Sequence, residues 1–520
     1  MEAQPMHVTQ TLHRAHQHEP GRVLTVFGDR TRTVAESRDR IARLAGALKT
    51  LGLEPGDRVG IVALNSDRYH EFLLAVPWAG GVVNPVNIRW SPVEVAYSLV
   101  DCETNILFVD DAFAAMVPTL REQVPNLRSI VFCGDGECPE GAIDYEELVA
   151  ATEPVRDAMR GGSDLYGVFY TGGTTGHPKG VMLSHDSLMI SAMGSVVTLD
   201  VVSRGGVLLH SAPMFHLADI AAWLMGMLTG GSHVIVPAFA PGAVVEAIEK
   251  HRVTDALLVP TMIQMLADSP EAAAADLSCV RGILYGASVI SEAVLQRAKA
   301  ALPNARFTQA YGMTELGPIA TLLSPEGHDD PVLVRSCGRS VAHAEVRIFD
   351  ETDVEVTRGT VGEICVRGDH VMQGYWNKPE ETAAAVRGGW MHTGDGGYMD
   401  EHGYVFVVDR IKDMIITGGE NVYSAEVENA LAKHPAVEQC AVIGVPDTEW
   451  GERVHAVVVL KPEAAATKTE LRDFCRGLIA SYKLPRSVAF VDALPMSGAG
   501  KILKRELRKQ HWGATDRAVQ

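Results

Sequence analysis

The chain has 520 residues, with 46 Lys plus Arg against 65 Asp plus Glu, for a formal net charge of −19. At roughly 150 residues per domain, this length suits about three domains and a large buried core. So acidic a chain is a poor binder of polyanions, which argues against nucleic acid and anionic membrane surfaces as partners. Any phosphate it holds must be met by local N–H groups, a few placed cations and a metal ion.

Hydrophobic residues make up 47% and charged residues 21%, as in an ordinary globular enzyme. The cysteines, Cys102, Cys133, Cys138, Cys279, Cys337, Cys365, Cys440 and Cys475, are widely spaced and form no CxxC pair. That pattern reads as small buried residues in a reducing compartment. No charged N-terminal stretch leads into an apolar core, as a signal peptide requires. The most apolar runs, Phe72–Val83 and Ala221–Leu228, fall short of the ~20 residues of a membrane span. The expectation is a cytoplasmic protein with no transmembrane segment. The sequence carries no signal for an oligomeric state.

In chain order, Asp39–Leu51 places Ile41, Leu44, Ala45 and Leu48 at helical spacing and ends near Gly52. Gly56-Asp57 makes a turn before the apolar run Val59–Ala63, a buried-strand pattern. Helical and strand patterns then alternate through Ala75–Gly80, Val82–Val86, Pro92–Val100 and Ile106–Val109. They resume through Gly205–His210, Ser232–Val236, Ala243–His251, Ala256–Val259 and Ile283–Tyr285. Such alternation predicts parallel sheet with crossover helices. From about Ser336 the pattern changes to short antiparallel strands, Val346–Phe349 and Glu363–Val366, and then to a Gly-rich polar stretch. After Asp409-Arg410 a compact unit reads as helix Ala425–Lys433, strands Gln439–Gly444 and Val454–Leu460, helix Lys468–Ala480 and strand Val488–Val491. A domain boundary is expected at Asp409–Lys412. Ala272–Ala275 reads as a helical turn or loop, and there is no internal repeat or low-complexity segment.

The most informative segment is Phe169-Tyr170-Thr171-Gly172-Gly173-Thr174-Thr175-Gly176-His177-Pro178-Lys179-Gly180. A polyphosphate needs close approach by backbone N–H groups, and glycine permits that geometry most freely. Hydroxyls at Thr171, Thr174 and Thr175 add donors, and Lys179 supplies a mobile point charge. No G-K-[S/T] is present, so this is not a Walker A loop.

This run resembles the phosphate loop of the acyl-adenylate-forming enzymes. They comprise acyl-CoA synthetases, adenylation domains of peptide synthetases and firefly-type luciferases; fatty-acyl-CoA and aryl-CoA ligases are the nearest in kind. That family often has Ser where Gly173 stands, so Gly173 is given no side-chain role. The resemblance extends from about Val23 to Arg508, with further motifs in the family's order. It implies that Thr171, Gly172, Thr174, Thr175 and Lys179 hold the β/γ end of ATP. Gly286-Ala287-Ser288 would follow the adenine edge. In Gln309-Ala310-Tyr311-Gly312-Met313-Thr314-Glu315, Tyr311 and Gly312 would lie along the adenine, Thr314 would touch the α-phosphate and Glu315 would hold Mg²⁺. A hard carboxylate oxygen beside phosphate oxygens suits that ion. Asp395, in Trp390-Met391-His392-Thr393-Gly394-Asp395, and Arg410 would contact the ribose hydroxyls.

Lys501, in Ser497-Gly498-Ala499-Gly500-Lys501, matches the family's catalytic lysine, although a Thr common in this approach is absent. Its ammonium would offset repulsion between the acid's carboxylate and the α-phosphate. Lys412 matches the hinge residue about which the C-terminal domain turns between half-reactions. Gly418, Gly419 and Glu420 would line the tunnel for the pantetheine arm of coenzyme A. His216 would meet the acid's carboxylate. The implied fold class is α/β: a large N-terminal domain of α/β sheets with a small β-rich subdomain (1–409), then a small mobile α+β C-terminal domain (410–520) carrying the catalytic Lys.

The acid pocket is expected near Leu217–Trp223, Gly286, Gly312–Met313 and Pro318–Ile319, which are apolar or small apart from Asp219. That favours an uncharged tail, a medium or long fatty acid or an aryl acid such as a cinnamate, as the small-molecule carboxylic acid joined to coenzyme A. The rival reading is a stand-alone adenylating enzyme that loads an acyl or amino acid onto a carrier protein. For an amino acid it would want a pocket carboxylate, and Asp219 is the candidate. A nucleotide-sensing regulator is a third reading, and it requires Lys501 to be idle.

Overall fold

A computed structural model describes residues 5–171, 178–286, 290–410, 413–417, 420–447, 450–496 and 502–512. The chain forms two compact bodies, Met1–Val346 with Val366–Met391, and Arg347–Cys365 with His392–Gln520. It crosses from one to the other within the strands Glu345–Phe349, Gly362–Arg367 and Trp390–Met399.

The larger body is built on two sheets. One has nine strands in the order Arg339–Ser340, Thr321–Leu323, Arg306–Tyr311, Gly282–Gly286, Asp255–Leu257, Val207–His210, Ser232–Ile235, Val23–Phe27 and Arg30–Thr33. The other has eight, in the order Gly374–Tyr375, Lys179–Ser184, Leu165–Thr171, Val82–Pro85, Arg58–Val62, Ile106–Val109, Ser129–Phe132 and Ile143–Asp144. Neighbours in the middle of each sheet run parallel, as the alternating pattern predicts, and antiparallel pairs lie toward the edges.

The helix Asp67–Ala79 is buried along its whole length, the condition of a helix packed on all sides. It reaches both sheets: Phe72 meets Phe108 edge-on at 5.3 Å, and His70 lies 5.6 Å from His233. The helix expected from Asp39 begins earlier, at Val34, because Thr33 and Glu36 close a capping box on each other's backbone N–H groups. The Ala-rich segment forms a short helix, Pro270–Ala274, capped by Ser269.

In the smaller body the strands Glu420–Val422, Ile415–Thr417, Gly451–Leu460 and Val437–Asp447 form a sheet, and Ser487–Phe490 joins it in parallel. The helices Ser424–Leu431, Lys468–Arg476 and Lys504–Trp512 complete it. Its core includes Ile415, Val422, Val427, Leu431, Val442, Val454 and Leu471. The Lys468 helix stops at Arg476, short of the expected Ala480, because Gly477 follows. Among the described residues, no helix is long and apolar enough to cross a membrane.

Candidate active site

In the larger body Thr171 ends one strand and Lys179 begins the next. The two strands pair antiparallel with Thr171 opposite Lys179 and Tyr170 opposite Gly180. The Gly/Thr segment is thus the connection of a hairpin on the eight-stranded sheet. Its residues Gly172, Thr174 and Thr175 lie outside the described residues, as do Ala287 and Ser288.

The nine-stranded sheet brings the second motif to this hairpin. Strand Arg306–Tyr311 ends at Tyr311, and a 3₁₀ turn over Thr314–Leu316 carries Glu315. Gly312 is required between them, since a Cβ there would collide with the Pro318 carbonyl. Gly286 pairs with Ala310 on the adjacent strand, and a Cβ at Gly286 would come within 2.5 Å of the Ala310 oxygen. Both glycines keep the ends of these two strands close and level.

A tyrosine joins the two sheets. Tyr375 donates its hydroxyl hydrogen bond to Glu315 Oε1 at 2.9 Å, and Lys179 Nζ sits 4.9 Å from the centroid of the same ring. The Met372 amide donates to the Glu315 carbonyl at 2.9 Å, fixing the turn from the other side. Glu315 is buried, and Tyr375 links it to Lys179, one contact through the hydroxyl and the other through the ring. Tyr375 is absent from the sequence-based set of site residues. The run Gly374-Tyr375-Trp376, two aromatics after a glycine, is the signal that could have found it.

His216 stands at the start of helix Leu217–Thr229 in extended conformation and caps no backbone group with its side chain. Its ring lies against Phe215, 4.2 Å between centroids. One turn on, Asp219 is fully buried and its Oδ2 is 2.8 Å from His210 Nδ1, while His210 Nε2 is 2.9 Å from His233 Nδ1. Trp223 Nε1 donates to His70 Nδ1 at 2.8 Å. Burial pushes the His70 imidazole down to about 3, with His210 adding to the effect, and drives His233 the same way. His70 and His233 thus stay neutral at physiological pH, His70 linking two helices through Trp223 and His233 linking two strands through His210.

In the smaller body Asp395 and Arg410 face each other across the ladder of Trp390–Met399 and Val405–Arg410, with Arg410 Nε 2.6 Å from Asp395 Oδ1. The turn before Asp395 is clamped. Glu363 accepts from the Gly394 amide at 2.9 Å and lies 2.8 Å from His392 Nδ1, and the Thr393 hydroxyl donates to the Ile364 carbonyl at 2.7 Å. Asp409 accepts from the Ser424 amide and hydroxyl at 2.5 and 2.6 Å, anchoring the first turn of helix Ser424–Leu431. Lys412, Gly418, Gly419 and Lys501 lie outside the described residues, and of Glu420 only the backbone is described. Thr417 pairs with Glu420 on either side of the Gly418-Gly419 connection, and Met496 bridges Ile502 on either side of residues 497–501.

A hairpin joined by the Gly/Thr segment, an acidic turn and a carboxylate–guanidinium pair thus occur in one chain with a doubly sheeted α/β body and a small α+β body. The AMP-binding enzyme family profile matches residues 12–376, and that of the AMP-binding enzyme C-terminal domain matches residues 426–501. The chain belongs to the AMP-binding enzyme family.

Among particular relatives, it is 37% identical over 508 residues to a fatty acid–[acyl-carrier-protein] ligase, ScoC, of Streptomyces coeruleorubidus, covering 97% of this chain and 96% of the relative. It is 40% identical over 483 residues to a feruloyl-CoA synthase of an Amycolatopsis species, covering 92% of this chain and 94% of the relative. The crystal structure of ATP-bound MatB from Rhodopseudomonas palustris superposes with a TM-score of 0.88 at 31% identity, covering 97% of this chain and 99% of that one.

Proposed function

We propose that this chain is an ATP-dependent carboxylate–CoA ligase, forming an acyl-AMP and pyrophosphate and then an acyl-CoA and AMP. The observation that carries the reading is the Lys179–Tyr375–Glu315 contact chain at the mouth of the Gly/Thr hairpin. It sets a cation and a hard carboxylate on one tyrosine, with the ring between them, where a polyphosphate would enter. The donor chemistry fits Mg²⁺, which Glu315 would hold together with phosphate oxygens. When bound, that ion neutralises charge on the polyphosphate.

A carboxylate is a poor acyl donor until its oxygen becomes part of a good leaving group. Its oxygen attacks the α-phosphorus, the bond from that phosphorus to the bridging oxygen breaks, and pyrophosphate departs. Displacement in line asks the protein mainly to position groups and offset charge. Thr171 and Lys179, with Gly172, Thr174 and Thr175, would orient the β/γ end. Thr314 and Lys501 would act at the α-phosphate, and Asp395 with Arg410 would fix the ribose. In the second step the thiol of coenzyme A attacks the acyl carbon and AMP leaves. Lys412 would serve as the hinge between steps, at the junction of a 1–409 adenylation domain and a 410–520 domain. Lys412→Pro is expected to leave acyl-AMP formation intact and slow thioester formation; equal losses in both would remove the hinge assignment.

The helix after His216 buries Leu217, Ile220, Ala221 and Trp223, which suits an uncharged acyl tail, fatty or aryl. Asp219 is sealed against His210, a poor disposition for receiving a substrate ammonium. Carrier-protein loading is the second reading, favoured by the likeness to ScoC. The cytoplasm, which supplies ATP, coenzyme A and reducing conditions, is the proposed location.

The test is pyrophosphate release across fatty, aryl and amino acids, with coenzyme A, with a phosphopantetheinylated carrier protein, or with neither. An acyl-CoA mass appearing only with coenzyme A supports the ligase. Acylation of the carrier alone moves the function to carrier loading, and no pyrophosphate from any acid overturns both.

A further inference from the structure

We propose that His7, His13 and Asp157 form a binding site for a borderline divalent transition-metal ion of the zinc, cobalt or nickel kind, separate from the nucleotide site. Their ligand atoms lie mutually within 4.8 Å. His13 Nε2 is 2.8 Å from Asp157 Oδ2. Two ligands bound at about 2.1 Å stand about 3.0 Å apart at right angles and about 3.4 Å apart in a tetrahedron, so a separation of a few tenths of an ångström would open this pair to one ion.

His7 supplies the observation that a simple His–Asp pair does not explain. Its Nδ1 is 3.1 Å from the Pro5 carbonyl, an oxygen that only accepts. The proton therefore sits on Nδ1, which leaves a lone pair on Nε2. That Nε2 is buried and has no hydrogen-bond partner among the described residues. A buried acceptor without a donor is costly, and a cation satisfies it. The Nδ1–H to carbonyl contact is also the outer-shell arrangement that orients metal-bound imidazoles. Asp157 is oriented in the same way, since its Oδ1 accepts from the Met159 amide at 2.8 Å. The His13 ring lies 4.7 Å from that of Trp78, whose Nε1 donates to the Val155 carbonyl.

Two imidazoles and one carboxylate select a borderline ion over Mg²⁺, which prefers oxygen alone. The ion would take the place of the hydrogen between His13 Nε2 and Asp157, and acid, which protonates imidazoles, weakens binding. It would pin the N-terminal segment to the loop at 157–162, where the Gly162 amide already donates to the Met6 carbonyl at 2.8 Å.

The experiment titrates Co²⁺ and Zn²⁺ into the full-length chain, stripped with chelator and dialysed, by calorimetry and visible absorption. The expected result is one ion per chain, a raised thermal midpoint, and binding weakened at least about tenfold in His7→Gln and in Asp157→Asn. The double variant His16→Ala/His18→Ala, which removes the other histidines of this segment, should bind as the parent does. Circular dichroism establishes that each variant is folded. Absence of stoichiometric binding overturns the proposal. So does equal affinity in His7→Gln, which leaves a His13–Asp157 hydrogen bond only, or loss of binding in the His16/His18 control, which marks surface capture.

Discussion

Two networks in the larger body use the same three kinds of side chain and arrive at opposite results. At the proposed nucleotide site, Lys179 lies over the Tyr375 ring and the Tyr375 hydroxyl donates to Glu315. Elsewhere in the same body, Arg40 and Arg68 lie over the Tyr145 ring at 5.8 and 5.5 Å, and the Tyr145 hydroxyl donates to Glu71 at 2.5 Å. In that second network the cation also grips the carboxylates directly. Arg40 reaches Glu71 Oε1 at 2.6 Å and Glu146 Oε2 at 2.8 Å, and Arg68 reaches Glu146 at 3.0 Å. A guanidinium shared between two carboxylates has its donors committed, and it ties three helices together. A lysine held by a ring face keeps its ammonium donors uncommitted to the carboxylate, as the proposed phosphate contact requires. The same alphabet makes a rivet when the ions touch and a receptor when a ring stands between them.

The rivet breaks with the largest effect. Arg40→Leu leaves Glu71 buried with the Tyr145 hydroxyl as its hydrogen-bond partner and Arg32 Nε 3.5 Å away as its remaining cation, and burial already pushes the Glu71 carboxyl up. Removing one side of a buried pair costs about 3–5 kcal/mol. Urea unfolding should register that loss while pyrophosphate release per folded molecule stays at the parent level; a change under about 1 kcal/mol would mean the network is ornamental. The receptor breaks the other way. Glu315→Gln keeps an acceptor for Tyr375 and deletes the charge. Acyl-AMP formation should fall about 10²–10³-fold, with the unfolding midpoint unmoved, and an undiminished rate would remove Glu315 from the metal role. Tyr375→Phe is a finer cut, because it keeps the ring beneath Lys179 and loses one hydrogen bond of about 1 kcal/mol, so turnover should drop about fivefold. Tyr375→Leu, which also removes the ring, should lose more; equal losses would mean the cation–ring contact contributes nothing.

The rivet and the receptor also differ in how legible they were. Local pattern located the strands well: Ile106–Val109 appears as expected, and Val59–Ala63 is displaced by a single residue to Arg58–Val62. Ends decided by a cap or a ladder were less readable. Strand Val437–Asp447 runs past the expected Gly444 because its pairing with Gly451–Leu460 continues to Asp447 opposite Gly451. Asp395 and Arg410 were found from motif and spacing, and consecutive strands are enough to bring them together. Tyr375 was not found, because its meaning depends on residues 60 and 196 positions away that only the packing of two sheets makes neighbours. Arg40, Glu71 and Tyr145 look like any surface charges and aromatic until helices Val34–Thr50, Asp67–Ala79 and Tyr145–Ala150 close around them.

The smallest effect tests the edge of the rivet, where solvent reaches it. Burial pushes the Glu146 carboxyl up, but the hydrogen bonds and charges of Arg40 and Arg68 outweigh it and the net direction is down. A carboxyl with a lowered folded value favours the folded state once the unfolded chain would ionise, above about pH 4.3. That contribution disappears as pH falls through the folded value. The Glu146 side chain is 41% exposed, so screening limits its worth to about 1 kcal/mol or less. Glu146→Gln should therefore unfold at slightly lower urea than the parent at pH 7, and the gap should close on acidification below about pH 4. Added salt should narrow it at neutral pH as well. A gap that widens in acid would reverse the sign, and Arg40 would then be holding Glu71 alone, with Glu146 a bystander at the rim.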